Sequence, residues 1–249
     1  MKNEAFFVGR KKELKQLSQL SAKKTSSLVV IKGRRRIGKS RLVYEFSKQF
    51  KNYFEIQGLP PTEGNNNQKQ LAHFAIKMNL HFNSGLKLFN SWTEAFMDLA
   101  DKTKKGKWLI FIDEISWLGM HESTFSGQLK EVWDTKFKNN PQLILIVCGS
   151  VSTWIEKNIV ANTGYEGRIS LDMLLEELSL PEINAFFRND QRMGPLEKMW
   201  LLSITGGVPM YLEEAIFFEN HFTHLVHKCS TRREFFYDVF AKIFAALLV

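Results

Sequence analysis

SLVVIKGRRRIGKSRLVYEFSKQF, residues 27–50, changes its apolar spacing once along its length. Leu28, Val29, Val30 and Ile31 form a short run rich in β-branched side chains, which suits a buried strand. The run breaks at Gly33, and from Lys39 onward Leu42, Val43 and Phe46 recur at helical spacing. Strand, loop and helix are predicted in that order.

The loop, Gly33-Arg34-Arg35-Arg36-Ile37-Gly38-Lys39-Ser40, satisfies G-x-x-x-x-G-K-S/T, the phosphate-binding P-loop pattern, in the strand-to-helix context the pattern requires. Gly33 and Gly38 are expected to permit backbone angles and a close approach that a Cβ would obstruct, so that successive N–H groups point at phosphate oxygens. The helix N-terminus adds its own positive end. Lys39 would place an ammonium on the β/γ phosphates, and the Ser40 hydroxyl would fill one position around an octahedral Mg2+. A polyphosphate with its magnesium ion is the predicted ligand.

The 249 residues, 44% of them hydrophobic, suffice for one large α/β core with a smaller appendage. No apolar run approaches the roughly 20 residues of a membrane span, and MKNEAFFVGRKK at the start lacks the apolar centre of a signal peptide. The expectation is a cytoplasmic protein with no membrane partner. Two cysteines, Cys148 and Cys229, cannot build a disulfide framework. The formal charge of +8 permits attraction to nucleic acid or to polyphosphates without distinguishing them.

Phe6 to Arg10 reads as an extended lead-in with a glycine turn, before a helix with Leu14, Leu17 and Leu20 on one face. Tyr53 to Leu59 suggests a second strand, and Gln68 to Met78 and Trp92 to Ala100 suggest helices. Trp108 to Ile112 is a continuous apolar strand of the kind covered on both faces, and it ends in Asp113-Glu114. Ligands of parallel sheets gather at the strands' carboxyl ends, so this pair takes the Walker B position. Asp113 would hold Mg2+ through its water shell, and Glu114 would polarise the attacking water. Gln142 to Cys148 is another buried strand that delivers Gly149-Ser150 to the same edge, with Ser150 a candidate contact for the γ-phosphate or the water. Glu166-Gly167-Arg168 leads into a last strand. From Leu174 the pattern turns helical, with a proline start at Ser179-Leu180-Pro181-Glu182 and a break at Thr205-Gly206-Gly207-Val208-Pro209. His221, His224, His227 and Cys229 fit no paired-ligand zinc spacing, and Phe222, Leu225, Val226 and Cys229 repeat as a helical core face. Val239 to Val249 is strongly apolar.

Taken together these residues resemble the archaeal and bacterial P-loop ATPases related to the AAA+ and STAND groups. The likeness rests on Val8-Gly9-Arg10, on Gly33 to Ser40, on Cys148-Gly149-Ser150-Val151-Ser152-Thr153-Trp154 followed by Gly167-Arg168, and on Gly206-Gly207-Val208-Pro209-Met210-Tyr211-Leu212. It implies an ATP-binding core in which the Val8-Gly9-Arg10 loop and Pro209 border the adenine. It also implies Ser150 as a sensor-like residue and Arg168 as a γ-phosphate or intersubunit arginine. Members of that family often continue into a nuclease-like C-terminal domain, and the expectation here is a truncated or abbreviated member that stops before one.

The combined expectation is an α/β three-layer P-loop fold with a parallel sheet, the acidic strand beside the P-loop strand, over residues 1–173. Residues 174–249 would form a helical lid. The expected activity is Mg2+-dependent hydrolysis of ATP, coupled to movement of the lid or of a partner, with a protein, further copies of the chain or DNA as candidate partners. The alternatives are a non-hydrolysing ATP switch or DNA-associated adaptor and, against the water-polarising Glu114, a P-loop kinase. No N-K-x-D guanine signature is present.

Overall fold

The computed structural model describes residues 7–150, 153–187 and 194–216. Within them the apolar runs become parallel strands: β1 (Ser27–Gly33), β2 (Asn52–Gln57), β3 (Trp108–Asp113), β4 (Leu143–Ser150) and β5 (Ile169–Leu175). The helices are α1 (Lys11–Ser21), α2 (Lys39–Ser47), α3 (Asn67–Phe82), α4 (Trp92–Lys102), α5 (Ile115–Gly119), α6 (Phe125–Thr135) and the short α7 (Thr153–Ile155). They continue with α8 (Leu180–Phe186), α9 (Pro195–Thr205) and α10 (Pro209–Ile216).

Strand order is β2-β3-β4-β1-β5. This corrects one expectation: the acidic strand β3 does not lie beside the P-loop strand β1, because β4 is inserted between them and pairs with both. Every strand of such a sheet needs a crossover, and adjacency follows from where the crossovers land rather than from order along the chain. The three inner strands β1, β3 and β4 are buried on both faces, which is why they read as unbroken apolar runs, whereas the edge strands β2 and β5 alternate buried and exposed positions. One face, carrying Leu28, Val30, Phe54, Ile56, Ile110 and Ile112, packs with α3 to α6. There Phe74 meets Trp92 and Phe96 edge-on at 5.7 and 5.8 Å, a favoured geometry for aromatic pairs. The alternate strand residues, such as Val29, Ile31, Phe111 and Ile146, are equally buried, as are Leu42, Val43 and Phe46 of α2.

The chain forms two compact units. One holds Lys12–Arg35 and Lys39–Leu175; the other is assembled from Met1–Lys11, Arg36–Gly38 and Glu176–Val249, as far as those are described. β5 runs to Leu175, so its last two residues belong to the sheet although the pattern there reads as helical. In the second unit Leu178, Ile183, Phe187 and Leu212 make a small core. Ser179 and Glu182 close the start of α8 reciprocally, the Ser179 amide and hydroxyl donating to Oε2 of Glu182 at 2.9 and 2.7 Å. Among the described residues no helix is long and apolar enough to cross a membrane. The histidines His221, His224 and His227, Cys229 and the apolar stretch Val239 to Val249 lie outside the described residues, as do Val151 and Ser152.

Candidate active site

Strand β1 hands the chain directly to the loop. Gly33 is still in the sheet, opposite Ser150 on β4 and Leu175 on β5. The backbone freedom is used later in the loop than the glycine spacing suggests: Gly38 has φ 91°, and Arg36, with a side chain, has φ 70°. A left-handed arginine is unfavourable by roughly 1–2 kcal/mol. Its guanidinium meets the second unit's Tyr211, with Nη1 donating to the hydroxyl at 3.1 Å and the ring centroid 5.7 Å away. Lys39 opens α2, is buried, and donates from Nζ to the carbonyls of Gly33 at 2.9 Å and Arg34 at 3.0 Å. Two of the three ammonium donors are thereby aimed across the loop it follows.

The next residue, Ser40, donates its hydroxyl to Oδ2 of Asp113 at 2.7 Å, while Oδ1 of Asp113 accepts the Glu114 amide at 3.0 Å. Although β4 separates their strands, the parallel register brings the residues after β1 and at the end of β3 to one edge. A hydroxyl and one carboxylate are hard oxygen donors, few in number, the set that suits Mg2+ completed by water and phosphate. Among the described residues no three His, Cys, Asp or Glu side chains group to hold an ion without such help.

Glu114 has φ 47° and ψ 52° and starts α5. Its carboxyl is buried, and that burial, with the charge of Asp113, raises its pKa above the ordinary value; Lys39, the Ser150 amide and Arg35 pull the other way. Glu114 is therefore a stronger base than a solvated glutamate, held in place by a hydrogen bond from the backbone N–H of Ser150. Ser150, at the end of β4, thus lies beside Glu114 with its amide engaged. Two glycines make the space. A Cβ on Gly149 would lie 2.5 Å from Cδ1 of Ile155 and 3.8 Å from Oε2 of Glu114. One on Gly58 would lie 2.8 Å from the Glu114 carbonyl and 2.9 Å from Cβ of Trp117. Gly58→Ala is expected to cost about 1–3 kcal/mol as an overpacking substitution and to lower turnover by displacing Glu114. Thermal melts and phosphate release on the variant check both, and unchanged turnover would detach Glu114 from the chemistry.

In the second unit Arg10 is buried and left-handed at φ 58°. Its amide donates to Oε1 of Glu182 at 2.6 Å, and its Nη2 donates to the carbonyls of Glu176 at 2.6 Å and Ile37 at 3.2 Å. Burial pushes the Glu182 carboxyl up, but the Ser179 and Arg10 hydrogen bonds outweigh it and hold the group below its ordinary pKa. Gly9 is needed there, since a Cβ would lie 2.7 Å from Oε1 of Glu182. Val8 is buried beside it in sequence. Arg10 thus braces the loop tip through Ile37. Pro209 belongs to the same unit, with Cγ 3.8 Å from where a Cβ on Gly38 would stand.

Arg168 is the residue the fold does not bring to this edge. It precedes β5, whose Ile169 is level with Leu28 at the start of β1, so about 17 Å of strand separates it from Gly33 in its own chain. That register puts Arg168 toward the amino edge of the sheet, away from Gly33 of its own loop. Its Nε and Nη2 grip the two carboxylate oxygens of Asp134 on α6 at 2.8 and 2.9 Å, and Lys130 adds a contact at 3.0 Å. Hydrogen bonding from Arg168 is the chief reason the Asp134 carboxyl falls from 3.8 to about 2. Sequence reasoning missed Gly58, the role of the Ser150 amide, and Tyr211 as a partner of Arg36. Only Tyr211 carried a signal, its place in the Gly206 to Leu212 motif.

A parallel β2-β3-β4-β1-β5 sheet, a glycine-bounded loop leading into Lys39-Ser40, and a serine bonded to a strand-end aspartate are the framework of a P-loop nucleotide-binding fold. Residues 7–215 match the family described as an ATPase domain predominantly from Archaea, and the chain belongs to that family. It is 26% identical over 215 residues to an uncharacterized protein, MJECL04, of Methanocaldococcus jannaschii, covering 84% of this chain and 44% of that one. It resembles the Walker-type ATPase PABY2304 of Pyrococcus abyssi with a TM-score of 0.59 at 19% identity, covering 83% of this chain and 65% of that one. The ORC2 protein of Aeropyrum pernix, solved as ADPNP-ADP complexes, gives a TM-score of 0.60 at 13% identity, covering 90% and 66%. The chain thus spans less than half the length of its curated relative and about two thirds of these solved chains.

Proposed function

We propose that this chain binds ATP with Mg2+ and hydrolyses it to ADP and phosphate. The observation that carries the reading is the placement of Glu114, a buried carboxylate whose pKa is raised by burial and by Asp113, one residue from the Asp113 that accepts from Ser40 at 2.7 Å. In this reading the amides of residues 33–40 and the Lys39 ammonium bind the phosphates, with Arg34, Arg35 and Arg36 supplying positive charge around them. Ser40 and Asp113 hold the magnesium ion, which when bound neutralises charge on the phosphate oxygens. Glu114 orients a water and takes its proton. Ser150 fixes Glu114 through its amide and offers its hydroxyl to the same edge. Val8, Gly9 and Pro209 border the adenine, and the helical region carrying Pro209 and Tyr211 moves with the nucleotide state and passes it to a protein partner or a second copy. The reading places the protein in the cytoplasm, where MgATP is held.

Arg168, remote from its own loop, is assigned to a neighbouring copy. Arg168→Ala is then expected to leave MgATP affinity unchanged and to reduce turnover only at concentrations where copies associate. The variant also removes Asp134's partner. Because the folded pKa of Asp134 is depressed, the pair stabilises fully above 3.8 and the effect fades as pH falls through about 2. The melting-temperature difference from wild type is therefore expected at pH 5 to 7 and should shrink in acid. An equal difference at pH 2 would contradict it.

Phosphate release from MgATP, repeated with GTP and with a chelator, tests the proposal. Turnover of MgATP that stops on chelation supports it. Tight MgATP binding with no turnover would make the chain a nucleotide switch, and overturn it.

A further inference from the structure

The positive charge of this chain is concentrated far from the phosphate loop. In a parallel sheet the turns that lead into the strands share the amino edge, opposite the edge that carries Gly33, Asp113 and Ser150. Residues 22–26 (AKKTS) lead into β1, 51–52 (KN) into β2, 101–107 (DKTKKGK) into β3 and 136–142 (KFKNNPQ) into β4. These four short stretches contain nine lysines and one aspartate. Their net charge of +8 equals that of the whole chain, so the rest, including the three loop arginines, sums to zero. All these lysines are exposed except Lys107, which is half-buried with Nζ 4.6 Å from the Phe50 ring centroid. Among the described residues the aspartate, Asp101, reaches one of them, Lys136, at 3.4 Å.

Three observations make this a built surface. The four strands concerned, β2-β3-β4-β1, are consecutive in the sheet. Their turns are tied to one another by side chains: Asn52 donates to the Lys107 carbonyl at 3.2 Å, Asn140 to Thr103 at 2.8 Å and Gly106 at 2.9 Å, and Ser26 to Lys138 at 3.2 Å. The lysines therefore stand on a fixed backbone, so binding has to order their side chains but little of the main chain. Strands about 4.8 Å apart put the row at about 14 Å, and a duplex offers one phosphate per roughly 3.4 Å along each strand. The row thus faces about four phosphates.

We infer that this amino edge binds the phosphate backbone of duplex DNA, without reading its bases. None of the large exposed apolar side chains of the described residues lies in the four turns, so the surface has nothing to insert into a lipid interface. The contact is electrostatic and independent of nucleotide, and lies at the opposite edge of the sheet from Lys39.

The test is anisotropy of a labelled duplex titrated with the full chain, without nucleotide, at several salt concentrations. Four phosphates give a slope of log K against log salt of roughly −4. Lys104→Glu/Lys105→Glu/Lys138→Glu is expected to weaken binding at least about tenfold and flatten the slope, while unstimulated MgATP turnover stays at the wild-type level. Lys15→Glu/Lys69→Glu/Lys77→Glu carries the same charge change on exposed helix positions and is expected to retain most of the affinity. The triple arginine replacement at 104, 105 and 138 controls for folding and should bind like wild type. Equal losses in both glutamate triples would reduce the effect to overall charge and overturn the assignment. So would absence of binding at low salt, or binding to vesicles rich in anionic lipid with none to DNA.

Discussion

Lys39→Ala loses tight MgATP binding, by roughly 10²-fold or more if its charge-assisted hydrogen bonds each contribute about 1.5–3 kcal/mol. The ammonium is buried and the loop positions it internally, through the carbonyls of Gly33 and Arg34. Alanine therefore removes both the charge and the brace that closes the loop on itself. Lys39→Arg separates the two effects: it keeps a cation, but its planar fork does not reproduce a compact ammonium, so binding is restored only in part. Calorimetric titration of nucleotide into wild type and both variants makes the measurement. Undiminished affinity in Lys39→Ala would remove residues 33–40 from the site.

Glu114→Gln separates binding from chemistry. MgATP affinity stays within a few-fold of wild type, since Ser40, Asp113 and Lys39 are untouched, and turnover falls by roughly 10²-fold or more, as for loss of a general base. The glutamine carbonyl still accepts from the Ser150 amide, so the geometry survives. A second readout follows from linkage. Burial raises the folded pKa of Glu114 above its unfolded value, so its favourable contribution is complete at low pH and is lost as pH rises through the folded pKa. At neutral pH the charged carboxylate costs stability, and Glu114→Gln should melt higher than wild type there, with the gain vanishing below about pH 4. A variant that melts higher but turns over normally would make Glu114 a merely strained residue.

The strands were legible because burial on both faces leaves unbroken apolar runs at Leu28 to Ile31, Trp108 to Ile112 and Leu143 to Cys148. The loop was legible because phosphate binding constrains residue types at fixed spacing. What sequence spacing does not encode is who stands beside whom. The insertion of β4 between β1 and β3 depends on crossovers. The grip of Asp134 on Arg168 joins residues 34 apart with no shared pattern. Backbone exceptions were equally hidden. The left-handed residues Arg10, Arg36 and Glu114 carry side chains that give no hint of that conformation, and of the two loop glycines that do hint at it Gly38 adopts it while Gly33 stays in the strand.

The three residues Arg36–Gly38 belong by packing to the unit made mostly of Glu176 and beyond, although their neighbours on either side belong to the other. The chain therefore passes between the units after Lys11, after Arg35, after Gly38 and after Leu175. No single cleavage releases either unit whole. A fragment ending at Leu175 would carry Arg36 without Tyr211 and Ile37 without the backbone that Arg10 also holds at Glu176. Neither unit is continuous in sequence, and thermal unfolding is expected to proceed in one cooperative transition, because the Arg36–Gly38 segment of one unit is joined on both sides to residues of the other.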